Sequence, residues 1–140
     1  MKIPTPPARI LPLLAAIALA GCIHMPSYTA SLSSSELREV NEFDLCAAYE
    51  STESKRLRAE IDRRNLISPE EWAKVAGHQV FEGMGACAVL ASLGFPATVD
   101  EEEKPMSPAG PTTRLVYLDD LLVITYQIRL RGGVAVEVRP

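Results

Sequence analysis

The chain reads as an α+β protein in which helices precede an antiparallel sheet. Residues 36–94 place apolar side chains at helical spacing between recognisable caps, and the last 27 residues switch to apolar–polar alternation. A length of 140 residues, 47% hydrophobic and 23% charged, is enough for one domain and too poor in charge for a disordered tail. The net charge of −4, with no cluster of Lys and Arg, argues against nucleic acid as a partner.

The N-terminus carries Lys2 and Arg9 ahead of an 11-residue apolar run, Ile10 to Ala20. A membrane-spanning helix needs about 20 such residues, so the run has the length of a signal-peptide core instead. It ends in Leu19-Ala20-Gly21-Cys22, which resembles the lipobox of bacterial lipoproteins. That resemblance makes residues 1–21 a cleaved signal peptide and Cys22 the lipid attachment site, acylated with palmitate-type chains. Ile23 follows the cysteine where an Asp would favour inner-membrane retention, which points to the outer membrane, periplasmic side. The first 22 residues contain no acid and two bases, so 12 bases and 18 acids, a net −6, remain from residue 22 onward. Residues 22–35 are Ser-rich with one Pro and no periodicity, the composition of a flexible tether. His24 in that stretch has no ligand partner at a metal-binding spacing.

Residues 36–74 form an N-terminal helical extension. Leu37, Val40 and Phe43 share a face and are followed by Leu45, Cys46, Ala48 and Tyr49, and Asn41 with Asp44 either restarts or caps this first helix. Lys55 to Asn65 is a second helix, with Leu57 and Ile61 on one face and Arg63 and Arg64 suited to its negative end. The third has the clearest start: Ser68 as N-cap, Pro69 next, Glu71 closing a capping box, and Ile67 stapled to Trp72. Trp72 reads as core, and His78 as surface or a turn residue.

Val80, Gly83, Met84, Val89, Leu93, Gly94 and Pro96 follow, spaced as I-x-x-G-M-[T/S]-x-x-x-V-x-x-x-L-G-x-P. Gly83 and Gly85 permit close approach, Val89 and Leu93 lie on one helix face, and Gly94 with Pro96 ends the helix. This pattern resembles the BamE family (SmpA/OmlA) of small outer-membrane lipoproteins, with Gly85 in place of the usual Thr or Ser cap. Residues 75–140 would then be a BamE-like α+β domain, and the helices of 36–72 an addition to it.

Ala97 to Thr113 reads as a loop, its acids Asp100 to Glu103 solvated and without the ligand alternation of a calcium loop. Leu115–Leu118, Leu122–Leu130 and Val134–Val138 are three strands, the last two joined at Gly132-Gly133. The expected architecture is N-terminal helices on one face of a three-stranded antiparallel meander, the BamE-like arrangement.

Two histidines and no Ser/His/Asp grouping, phosphate loop or metal-ligand spacing give no catalytic residue, cofactor or metal site. Cys87 or Glu82 acting with His78 lacks a third, orienting group. The resemblance implies a non-catalytic interaction or scaffold module in the cell envelope, with an envelope protein partner such as the barrel-assembly machinery. The alternative is a periplasmic inhibitor or regulator of an envelope hydrolase. Once Cys22 is acylated, Cys46 and Cys87 remain in an oxidising compartment, either bridged or as two small packed thiols. Proximity of the two decides between them.

Overall fold

The computed structural model describes residues 26–102 and 110–140. The signal segment, Cys22, His24 and Glu103 lie outside the described residues. Among those described, the helices are α1 (Pro26–Ser31), α2 (Ser34–Leu37), α3 (Glu42–Thr52), α4 (Lys55–Arg63), α5 (Pro69–Val75) and α6 (Ala86–Leu93). The strands β1 (Thr98–Glu102), β2 (Thr112–Leu118), β3 (Ile124–Arg131) and β4 (Val134–Arg139) pair in chain order as one antiparallel sheet. The α+β class holds; the sheet has four strands where three were expected.

The Ser-rich stretch is folded from Pro26 onward. Thr29 of α1 is buried, and Ser33 caps α2 by accepting from the Glu36 N–H while the Ser33 N–H donates to the Glu36 carboxylate at 2.8 Å. Serine is the preferred residue both of solvated linkers and of N-caps, and here the capping role wins. Arg56 donates to the Leu32 carbonyl at 2.8 Å and fastens the turn after α1 to α4.

Asn41 starts a new helix, its side chain accepting from the Asp44 N–H at 2.8 Å. That helix, α3, is the centre of the protein. Leu45, Cys46, Ala47 and Ala48 are all fully buried, which requires neighbours on every side rather than one apolar stripe. α6 covers one of those sides, and the Cys46–Cys87 disulfide joins the two helices with their Cα atoms 5.2 Å apart. Trp72 is core as expected: Tyr49 meets it edge-on at 5.2 Å, Arg58 lies 3.5 Å over its ring, and its indole N–H donates to Asp62.

α6 has no side chain at its N-cap, because Gly85 occupies that position. Glu71 substitutes for it. One carboxylate oxygen closes the α5 capping box by accepting from the Ser68 N–H at 2.9 Å; the other accepts from the Gly85 N–H at 2.6 Å. A Cβ on residue 85 would stand 3.2 Å from that oxygen. The glycine therefore makes room for a cap supplied from another helix. Gly83 differs: nothing crowds it, and its need for glycine is a φ of 95°.

The fourth strand lies inside the expected acidic loop. β1 pairs with β2 from Thr98↔Val116 to Glu102↔Thr112, placing Asp100 opposite Arg114 and both Asp100 and Glu102 on the outer sheet face within reach of arginines. Asp100 meets Arg114 at 2.8 Å and Glu102 meets Arg129 at 3.3 Å. Arg129 meets Glu137 at 2.7 Å, and Glu137 also pairs with Arg139. Acids are poor strand formers in isolation, and cross-strand arginines supply what propensity lacks.

Two further expectations shift. The expected strand from Leu122 begins instead at Ile124, since Leu122 has a φ of 60° that breaks extended structure. The apolar face of β4 is Ala135 with Val138 rather than three alternating valines. A bulge brings Leu130 opposite Ala135 and Arg129 opposite Glu137, leaving Val136 outside the pairing. Gly132 and Gly133, at φ 56° and 77°, make the tight turn as expected.

Leu115, Tyr117, Ile128, Leu130 and Ala135 form the inner face of the sheet and join the buried helical residues in one core. Val89 is fully buried, but Leu93 is only partly so. Leu90, 4% exposed, lines a groove with Leu115 and Leu130, beside Ala86 and Cys87 of the same helix, and is the largest α6 side chain there. Leu90→Ala should accordingly cost about 2–5 kcal/mol, and Leu93→Ala only about 1 kcal/mol, in chemical denaturation. Equal costs would place the sheet against the wrong side of α6.

The shared cap is tested the same way. Glu71→Ala should cost about 1–3 kcal/mol, because two N–H groups lose a charged acceptor, and Glu71→Gln should cost less.

Glu60 is buried between α4 and the chain before it. Hydrogen bonds from Arg63, then from Arg64, outweigh the upward push of burial and lower its pKa to about 2. A depressed carboxyl stabilises the fold above its unfolded value, and that contribution disappears as pH falls through the folded one. The melting-temperature gap between wild type and Glu60→Gln should therefore be constant above about pH 5 and close towards pH 2.

Candidate functional site

The residues with the most reactive chemistry are held apart or already engaged. Cys87 is bridged to Cys46 and presents no thiol. His78 is a turn residue at φ 51°, its Nδ1 2.8 Å from the Ser92 carbonyl oxygen. Glu82 lines a groove on the outer sheet face with Arg129 and Arg131, whereas His78 lines a separate cleft. Glu82, His78 and Cys87 thus do not converge. Among the described residues no group of three or more His, Cys, Asp or Glu is placed to hold a metal ion.

The arginine pair of α4 is also engaged. Arg63 and Arg64 both bind Glu60, and Arg64 donates to the carbonyls of Leu37 and Val40 at 2.7 and 2.9 Å, closing the end of α2. Its task is to satisfy carbonyls that a short helix leaves open.

What stands out instead is the β2–β3 hairpin tip. Leu121 is 82% exposed and Leu122 78%, followed by Val123 and Ile124 at half exposure or more. Four consecutive exposed aliphatic residues are unusual on a small soluble surface and mark contact sites. Asp119 builds the tip. Its carboxylate accepts from the N–H groups of Leu121 and Val123, both at 2.9 Å, and its carbonyl accepts from the Leu122 N–H at 3.0 Å. The Asp119 N–H donates back to the Val123 carbonyl at 2.9 Å. These bonds hold Leu122 in the left-handed region, a conformation that a branched side chain adopts only under such constraint.

Beside the tip lies a cleft of about 410 Å³ lined by Lys74, His78, Gln79, Val80, Phe81 and Tyr126. Tyr126 belongs to β3 two residues beyond Ile124, and pairs across the hairpin with Tyr117. Phe81 is 42% exposed there. One end of the molecule therefore carries a convex apolar tip and a partly apolar cleft with a lysine at its rim. The alternation from Leu122 to Leu130 predicts strand for Leu122, Val123 and Ile124, with Leu121 just before it. The signal available was the run Leu121-Leu122-Val123-Ile124 itself, which interrupts alternation directly after two aspartates.

No helix among the described residues is long and apolar enough to cross a membrane. Neither a family model, a curated protein nor a solved structure matches the chain.

Proposed function

We propose that the chain is a lipoprotein, anchored through Cys22 on the periplasmic side of the outer membrane, that acts as a non-catalytic interaction or scaffold module in the cell envelope. The lipobox-like Leu19-Ala20-Gly21-Cys22 supports the anchor. The Cys46–Cys87 disulfide supports an oxidising compartment, since such bonds are rare where thiols are kept reduced. Pro26 opens α1 four residues after Cys22, so a lipid on that cysteine would keep the domain within about 14 Å of the bilayer.

The observation that carries the interaction role is the hairpin tip, whose bonds to Asp119 fix aliphatic side chains in solvent. A fold stabilised by burial has no use for that arrangement unless something covers it. A relationship to the BamE family belongs to the same proposal. It is supported by the spacing over residues 80–96 and by the stop at Gly94 followed by an antiparallel meander. β1 and the helices through α5 are additions to that pattern, and barrel assembly is the setting it points to.

The test is fractionation and in-cell protein crosslinking of three forms of the full-length protein. Wild type should float with outer-membrane vesicles and yield protein adducts; Cys22→Ser should move to the soluble fraction. Leu121→Ser/Leu122→Ser should remain on the membrane with an unchanged melting temperature and lose adducts. A Cys22→Ser protein that still floats after carbonate washing refutes the anchor, and undiminished adducts from the tip variant refute the contact surface. Recovery of a hydrolase in those adducts would replace scaffolding by inhibition.

A further inference from the structure

We propose that the hairpin tip of one copy seats in the Lys74–Phe81–Tyr126 cleft of a second copy, and reciprocally, so that the protein forms a two-fold pair at the membrane. This rests on reading that end of the molecule as the contact surface and adds what covers it.

Both halves of the contact are exposed in the single chain. The tip offers exposed Leu121 and Leu122, and the cleft offers Phe81, 42% exposed, beside half-buried Val80 and Tyr126. Neither covers the other within one copy, because each remains open to solvent. Burying them together would remove two apolar surfaces from water at once.

Charge selects the occupant. Asp119 uses its carboxylate on the tip's own backbone, leaving exposed Asp120 as the charge that meets a partner. At the cleft, exposed Lys74 makes no ion pair among the described residues. Acid on the tip and base on the rim are complementary between copies. An anionic bilayer would repel the same aspartate, and the tip has no Lys, Arg or aromatic residue of the kind that favours a headgroup region. A protein cleft therefore fits the tip better than lipid does.

The tip is also prepared for a dry environment. The N–H groups of Leu121, Leu122 and Val123 are all bonded within the hairpin, so desolvating them strands no donor. Tip and cleft being neighbours at one end lets a two-fold axis pass between them, and every tip–cleft contact then occurs twice. Tethering both copies to one membrane raises their effective concentration, which favours a contact of modest area.

A photoreactive amino acid placed at position 122 of the full-length, membrane-bound protein tests the pair in cells. The expected product has twice the protein mass and joins position 122 to the peptide containing residues 74–81. Asp120→Lys and Lys74→Glu should each lower its yield about two- to fivefold, and the double variant should restore it. The substitutions are on exposed side chains, and an unchanged melting temperature checks the fold. Adducts only with lipid, adducts only with a different envelope protein, no adduct, or a dimer indifferent to charge reversal would each overturn the pairing. An adduct with a different protein would leave the contact-surface reading intact, and release of wild type from membranes would defeat the anchor alone.

Discussion

Everything else in this fold is docked on the contact between α3 and α6. Ala47, Ala48, Ala88 and Ala91 are all buried at that interface or beside it, and small side chains let two helices lie close. The disulfide crosses the same contact, closing a separation of 41 residues. Chain entropy assigns such a closure at most about 4 kcal/mol, a large share of the stability of a small domain. α1 and α4 then pack on the remaining sides of α3, and the sheet closes over α6 through Leu90. Without the α3–α6 contact neither the N-terminal helices nor the sheet would have an apolar surface to cover.

α3 and α5 were legible because each begins with a local chemical signal, whereas α1 and the cap of α2 lie in a Ser-rich stretch that reads as a tether. Ser68, Pro69 and Glu71 announce α5 within four residues, and the cap forms as the spacing requires. Cys46 and Cys87 were legible only as an alternative, since sequence separation says nothing of distance; folding places them together. β1 was missed because Asp100 and Glu102 gain strand stability from Arg114 and Arg129, which lie well downstream in sequence and have no local trace. The bulge at Val136 was missed for a related reason. Three valines at alternating positions satisfy the period-two rule, and only the partner strand reveals that one of them is unpaired.

The exposed tip was hidden by the same rule. Leu122, Ile124, Tyr126 and Ile128 alternate correctly, so the run looks like uninterrupted strand. Asp119 overrides that pattern by offering the backbone a compact set of hydrogen bonds that an extended chain cannot match. Gly85 shows the reverse case: an apparently weakened cap is compensated by Glu71, fourteen residues earlier in the chain. Local rules thus failed where a distant side chain took over a local task, and where one turn was shaped for exposure.

The outer face of the sheet carries Asp100, Arg114, Glu102, Arg129, Glu137 and Arg139 in a connected chain of opposite charges running from one edge strand to the other. Its members are partly exposed, and such pairs contribute little stability individually. Collectively they cancel each other's field, so at a distance the face is electrically quiet although it is densely ionic. Polyanions and polycations alike find little there to grip, and an apolar partner would have to strip water from every charge. Under the proposed role, the side of the domain opposite its helices serves as a non-adhesive shield and leaves contact to the hairpin tip, where Leu121 and Leu122 are on display.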